Sequence, residues 1–162
     1  MHDLQSFKDA MSQMATGVTI VTAFFEDTNF GMTVSSFTSV SLSPPLVSIC
    51  IDKRVAICAI IENSKHFSVN ILSHEQTELG QIFSTPHIDM TERFQNGTWT
   101  KPSTASPVLQ DSLAWIDCSL HSTHDIGDHL IFIGEVQSCH AQKNGTPALY
   151  YQRQWHALSL SL

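Results

Sequence analysis

Eight hydroxyl side chains fall between Gly31 and Ile51: Thr33, Ser35, Ser36, Thr38, Ser39, Ser41, Ser43 and Ser48. No charged residue interrupts them. Hydroxyls and free backbone N–H groups hold a phosphate or the polar edge of a ring without a formal positive charge. That chemistry makes this stretch the first candidate for a ligand wall. The competing explanation is structural, since Ser and Thr also populate the solvated face of an ordinary sheet.

Other chemistry-bearing residues are less organised. Of the nine histidines, His121, His124 and His129 lie closest together. A spacing of three puts His121 and His124 on opposite faces of a strand, so they do not chelate together without a bulge. Cys118 and Cys139 complete no zinc spacing. There is no Gly-x-Ser-x-Gly elbow, no Gly-x-Gly-x-x-Gly and no Walker phosphate loop. His129 follows Gly127-Asp128 at the start of an apolar run. A histidine at the rim of a barrel either bonds locally or donates to a ligand carbonyl.

Charge narrows the partners. The net charge is −7, and the eight basic residues are scattered, with only Lys53 and Arg54 adjacent. Nucleic-acid binding needs a basic stripe that is absent here. Charged residues make up only 14% of the chain, well below the usual ~25%. A surface this poor in charge predicts that part of it is covered, most simply by a second copy. The four cysteines have no Cys-x-x-Cys pattern and read as buried free thiols of a reducing compartment. No signal peptide and no membrane span is predicted, so the expectation is a cytoplasmic protein with no membrane partner.

Hydrophobic spacing supplies the elements that must position these residues. Leu4, Phe7, Met11 and Met14 predict a helix over 3–15 with Asp3 as N-cap. Strands are predicted at 18–24, 32–36, 46–51, 67–72, 113–123 and 130–140, with a short final pair at 148–151 and 155–158. Glu26–Asn29 reads as a hairpin turn, and Asp125–Asp128 as another. Pro44-Pro45 is expected to break the ladder. A buried helix is predicted over 55–62. A third starts at Ser73, where Gln76 completes a capping box. Periodicity is lost from Thr85 to Asp111, which reads as a long connection packed over something. Strands dominate with helices inserted, a barrel-like α+β architecture in a single domain over residues 1–162.

Taken in order, several segments carry a resemblance. They are Ala15-Thr16-Gly17-Val18-Thr19-Ile20-Val21-Thr22, then Gly31-Met32-Thr33-Val34-Ser35-Ser36-Phe37-Thr38-Ser39, Pro44-Pro45-Leu46-Val47 and Cys50-Ile51-Asp52-Lys53-Arg54. Phe67–Leu72, Pro107-Val108-Leu109, Gly127-Asp128-His129, Ile131–Val136 and Leu149-Tyr150-Tyr151 follow. Together they resemble the flavin reductase-like family with the FMN-binding split β-barrel, whose members include reductase components of two-component flavin monooxygenases. The resemblance runs from about residue 4 to residue 158. It implies a homodimer with FMN or FAD at the interface and hydride transfer from NADH or NADPH. It also implies a partner monooxygenase served by diffusing reduced flavin. Met32, Thr33, Val34, Ser35, Ser36 and Ser39 would line the isoalloxazine ring and adjoining chain. Cys50, Ile51, Asp52 and Lys53 would approach the ribityl phosphate, with Ala56 just beyond. Phe83 and Ser84 would border the flavin, and His129 would lie on the nicotinamide side.

The family commonly places Ser or Thr after Asp-Lys-Arg to grip the phosphate, and often His shortly after. Here those positions are Val55, Ala56, Ile57 and Cys58. Phosphate binding is therefore expected to be weak or shifted toward Ser36, Ser39 and Lys53. Few basic residues are available for a 2′-phosphate, which favours NADH. The alternatives are a non-catalytic flavin-binding protein that stores or senses the cofactor, and a split barrel holding haem or a metal through His121, His124 or His129.

Overall fold

The computed structural model describes residues 3–158. Helix α1 (Leu4–Ser12) is capped by Asp3, whose carboxylate accepts the Gln5 N–H at 3.0 Å. It is three residues shorter at its end than the apolar spacing predicts. Strand β1 (Thr16–Gly17) follows, then the hairpin β2 (Thr19–Phe25) and β3 (Thr28–Val34). Its turn is Glu26-Asp27 alone, both at positive φ (47° and 59°). Such two-residue turns match the right-handed twist of the strands they join.

Strands β4 (Thr38–Leu42) and β5 (Pro45–Asp52) form a second hairpin, with Leu42 opposite Pro45. The expectation that Pro44-Pro45 breaks the ladder is corrected here. Ser43 and Pro44 make the turn, and Pro45 is the first residue of its strand, where a missing N–H is tolerated. Helix α2 (Ile57–Ser64) and strand β6 (His66–Ile71) come next. The predicted capping box is present, with Gln76 Oε1 accepting the Ser73 N–H at 3.0 Å. It opens a 3-10 turn at His74–Gln76 that leads into α3 (Thr77–Ser84). The long connection contains α4 (Met90–Phe94) and the short pair β7 (Trp99–Thr100) and β8 (Val108–Leu109). Strands β9 (Ala114–Ile126) and β10 (His129–Ala141) make the long hairpin, and β11 (Ala148–Tyr151) with β12 (Gln154–Ala157) ends the chain.

Seven strands make the main sheet in the order β3-β2-β6-β9-β10-β5-β4, and each neighbouring pair is antiparallel. Strands β1, β11 and β12 form a separate three-stranded sheet. The main core lies inside the rolled sheet, where Ile49, Ile51, Phe67, Val69 and Phe132 meet Ile57 and Ile61 of α2. A second cluster, with Ile20, Leu72, Phe83 and Leu109, packs on the other side of β2. That double burial hides Thr19 and Thr22 as well. Their hydroxyls donate to the carbonyls of Val34 and Pro107 instead of to water. Among the described residues no helix is long and apolar enough to cross a membrane.

One close approach fixes the middle of the sheet. A Cβ on Gly134 of β10 would sit 2.5 Å from Phe67 Cζ and 2.8 Å from Cys118 Cβ. Neither neighbour has room to move inside a close-packed core. Gly134→Ala is expected to lower stability by about 1–3 kcal/mol, the usual cost of overpacking. A lower urea midpoint at unchanged slope would read this out, and an unchanged midpoint would contradict it.

Candidate functional site

A cavity of about 340 Å³ opens between β3, α2, α3 and α4. Five of the residues singled out in the sequence meet there: Met32, Thr33, Ala56, Phe83 and Ser84. The strand β3 brings Met32 and Thr33, the approach to α2 brings Ala56, and the end of α3 brings Phe83 and Ser84. Phe83 is itself buried in the second core, so it presents its backbone and one ring edge. Ser35 and Ser36 line a neighbouring groove with Phe7, Met11 and Tyr150.

The remaining singled-out residues lie along β4, β5 and the start of β10. Val34 and Ile51 point into the main core and offer a ligand only their backbone. Ser39 pairs with Val47 in the β4–β5 ladder. Asp52 and His129 are directly opposite each other, as are Cys50 and Ile131. Alternation therefore puts Cys50, Asp52 and His129 on one face. His129 Nδ1 bonds Asp128 Oδ1 at 2.7 Å, and Arg54 forks onto Asp52 with Nη2 to Oδ2 at 2.5 Å. The Arg54 guanidinium and its own N–H hold the Asp52 carboxyl far below the usual carboxylate range. His129 likewise lowers Asp128. The Asp52 and Asp128 carboxylates stay ionised through the neutral range, and with Asp128 exposed and Asp52 partly so they set a local field without storing much energy.

Four of the eight hydroxyls of the opening stretch, those of Thr33, Ser36, Thr38 and Ser41, have hydrogen-bond partners. Ser36 Oγ donates to Cys50 O at 2.7 Å and accepts the Cys50 N–H at 3.0 Å. Thr33 Oγ1 donates to Gly80 O at 2.6 Å, and Ser84 Oγ to Gln81 O at 2.8 Å. Lys53 Nζ is held by Asp125 and by Gly127 O. Hydroxyl density here largely stitches β3 and the β3–β4 link to their neighbours. Ser35, which lines the groove beside α1, makes no such bond among the described residues, so a hydroxyl remains open toward a ligand beside backbone and apolar surface.

Histidines of the long hairpin are dispersed. A bulge at His121 interrupts the β9–β10 register. His121 lies 3.9 Å from Glu135, while His124 bonds Ser122. Among the described residues no group of three or more His, Cys, Asp or Glu is placed to hold a metal ion.

The profile of the flavin reductase like domain matches residues 11–159. The chain belongs to that family. A flavin-dependent monooxygenase reductase subunit from Rhodococcus jostii is 39% identical over 153 residues, covering 94% of this chain and 77% of the relative. A flavin reductase from Pseudomonas putida is 37% identical over 151 residues, 93% of this chain and 87% of the relative. Among solved structures, the NADH:FAD oxidoreductase of Streptomyces globisporus, with NAD and FAD fragments, superposes with a TM-score of 0.90 at 28% identity. That match covers 98% of this chain and 94% of the other. The styrene monooxygenase flavin reductase of Pseudomonas putida gives a TM-score of 0.87 at 30% identity, over 97% and 99% of the two chains. The fold is the split barrel of these flavin reductases.

The wall of the cavity between β3, α2, α3 and α4 is largely apolar. Its volume falls within the usual range of small-molecule sites. Gly31, Val55, Ile57, Pro86, Met90 and Arg93 complete it. Of these, Met90 and Arg93 lie in the stretch that sequence periodicity left as a connection. Helix α4 has only five residues, too few to show a helical repeat. The Asp89 N-cap, whose carboxylate accepts the Glu92 N–H at 2.8 Å, is the one local signal that marks it.

Cys58, in the first turn of α2, is buried. Its thiol donates to Asp52 O at 3.3 Å, and burial pushes it up to about 11. Burial pushes Cys118 up to about 12. Both stay protonated in the folded chain above pH 9, where the unfolded chain begins to lose those protons. The unfolded state then binds fewer protons, so stability falls as pH rises beyond about 9. At pH 8 a thiol reagent should modify exposed Cys139 first and leave Cys58 and Cys118 untouched until denaturant is added. Rapid labelling of Cys58 in the folded protein would contradict the burial argument.

Proposed function

We propose that this chain is an NADH-dependent flavin reductase that takes FMN at the split of the barrel and supplies it, reduced, to a partner monooxygenase. The observation that carries the reading is the cavity itself, which gathers Met32, Thr33, Ala56, Phe83 and Ser84 from three separate segments. When bound, the flavin supplies the hydride-accepting chemistry. The chain must then hold two planar rings at reacting distance, exclude water and orient them, which is worth many orders of magnitude in effective concentration. Met32 gives apolar surface for that stacking. Backbone N–H groups near Thr33–Ser35 are placed to face the ring edge where negative charge develops. His129, whose Nδ1 lies 2.7 Å from Asp128 Oδ1, would have Nε2 available to the nicotinamide in this reading. No nucleophile or acid–base pair is required of the chain, because the cofactor carries the chemistry.

Anaerobic mixing with NADH or NADPH and each of FMN, FAD and riboflavin tests this directly. Bleaching of the flavin band with repeated turnover is expected, fastest with NADH and FMN. Flavin that binds and does not bleach would instead make the chain a storage or sensing protein.

The reading includes a homodimer. Helix α1 has no buried residue, and Leu4, Phe7, Met11 and Met14 are all exposed. With Tyr150 and Tyr151, three of them line an apolar groove of about 480 Å³ that continues to Ser35 and Ser36. Large contiguous apolar patches of this kind mark association surfaces. A second copy seated there would close the flavin slot from outside. The double variant Phe7→Asp, Met11→Asp should sediment as a folded monomer and bind flavin at least tenfold more weakly. Wild-type chain that sediments as a monomer would remove this part of the reading.

A further inference from the structure

Residues 101–109 cross the face of β6 and β9 that is turned away from the main core, and side chains hold them down. Asp117 takes the N–H groups of Ser103 and Thr104, Asn70 takes that of Leu109, and Thr22 bonds Pro107 O. One further anchor is a histidine. His66 Nδ1 lies 2.8 Å from Ser106 Oγ, and Ser106 is fully buried. Among the described residues that ring nitrogen is the only partner of the Ser106 hydroxyl. A buried hydroxyl proton needs an acceptor. The hydrogen-bond network therefore assigns neutral His66 its proton on Nε2, with Nδ1 accepting from Ser106.

A second proton on the ring reverses that contact. Nδ1 then donates, and the Ser106 hydroxyl proton is left buried with nothing to receive it, which costs its full desolvation. The same proton sets a cation near Lys101, whose Nζ sits 3.1 Å from the centroid of the Phe24 ring. Burial is the largest influence on the His66 ring and disfavours its charge. Asp117 of β9 favours the charge, and Lys101 of the connection opposes it. Asp27 of the β2–β3 turn acts in turn on Lys101. At the end of α2, Glu62 and Lys65 are exposed to solvent. Ser119 is opposite His66 in the β6–β9 ladder, and Glu135, beside His121, lies one strand further. The balance holds His66 below the ordinary histidine range. A proton therefore binds the opened connection more tightly than the closed one, and the contact weakens as pH falls below about 6.5.

We propose that the His66–Ser106 contact is a pH-operated clasp: neutral His66 holds the connection from Lys101 to Pro107 against the sheet, and doubly protonated His66 loosens it. Asp117 still tethers Ser103 and Thr104, so the opening is local. The loosened segment leads directly back to Trp99, whose ring centroid lies 5.4 Å from that of Phe83 and 4.8 Å from that of Phe94. Phe83 and helix α4 are part of the cavity wall. A proton taken up on one face of β6 is thus felt as a looser wall at the cavity. The device belongs to the fold and does not depend on which ligand the cavity takes.

Amide hydrogen exchange of the full chain, corrected for the intrinsic rate, tests this at about pH 7.5 and about pH 5 on wild type and His66→Asn. Asparagine keeps an acceptor at the Nδ1 position and does not titrate. In wild type, protection of the Ser103, Thr104 and Ser106 amides should fall severalfold in acid, while the paired amides of β9 and β10 keep theirs. In His66→Asn the same three amides should be equally protected at both pH values. Wild-type protection that ignores pH would overturn the proposal. An equal loss in both chains would do the same, by assigning the effect to another group. NMR titration of the His66 ring in wild type decides the matter if the variant folds poorly. Its midpoint must lie below about 6.5 and coincide with the loss of protection, and a mismatch sinks the clasp. The Trp99 indole N–H, which donates to Asn96 O at 2.8 Å, reads the coupling. If its resonance stays still while residues 101–107 open, the clasp stands and its link to the cavity wall fails.

Discussion

Three residues dictate the shape of this molecule. Strands β3 and β4 stand at opposite edges of the seven-stranded sheet, yet only Ser35, Ser36 and Phe37 separate them in the chain. Laid flat, six inter-strand spacings of about 4.8 Å would put those edges roughly 29 Å apart. From Val34 to Thr38 the chain reaches at most about 14 Å at ~3.6 Å per residue. The sheet must therefore roll until its edges nearly meet, and the seam between them is the split of the barrel. Ser36 pins the link at that seam by bonding both backbone groups of Cys50. The cavity is a consequence of the rolling. One wall is the edge strand β3, and α2 plugs the barrel with Ile57 and Ile61 while its first turn reaches the cavity.

A rolled sheet with buried faces on both sides of β2 has polar groups to satisfy, and two buried side chains do most of this. Asn70 donates to Ile20 O at 3.0 Å and accepts the Leu109 N–H at 2.6 Å. Asp117 accepts from Ser68 Oγ at 2.8 Å, from the N–H groups of Ser103 and Thr104 at 3.1 and 2.6 Å, and from Thr104 Oγ1 at 2.5 Å. Both sit inside regular strands and face the long connection, so residues 103–109 are fastened through side chains where a strand pairing would otherwise be needed. A carboxylate that accepts this many hydrogen bonds is tolerated in a dry interior without a counter-ion. It lets a segment with three prolines lie flat over a sheet.

What the sequence made legible follows the same division. The two long strands β9 and β10, the capping box at Ser73 and the buried helix α2 each carry a repeat or a local motif strong enough to read. The β2–β3 turn was drawn too long because Glu26 and Asp27 are not the glycine or asparagine usual at positive φ. Pro45 looked like a breaker because its strand was expected to start later. In the candidate site, the hydroxyl-rich stretch was found by composition, but composition does not tell a hydroxyl that faces a ligand from one that stitches two strands. Thr33 and Ser36 belong to the second kind as far as their protons are concerned. Arg93 was invisible for the opposite reason. A lone arginine on a five-residue helix has no pattern, and its burial arises only when β3, α3 and α4 close around it.

An acidic chain that handles anionic cofactors must reconcile the two charges. The net charge of −7 repels both a flavin nucleotide and a nicotinamide dinucleotide at a distance, but that field is screened within about 8 Å at physiological ionic strength. At contact distance the short-range interactions of a bound pair outweigh that diffuse surface field. For an enzyme whose reduced product must leave to be used elsewhere, modest retention is a functional requirement. Val55, Ala56 and Ile57 give the cavity side of the first turn of α2 no side-chain hydroxyl, which leaves polar contact there to the backbone.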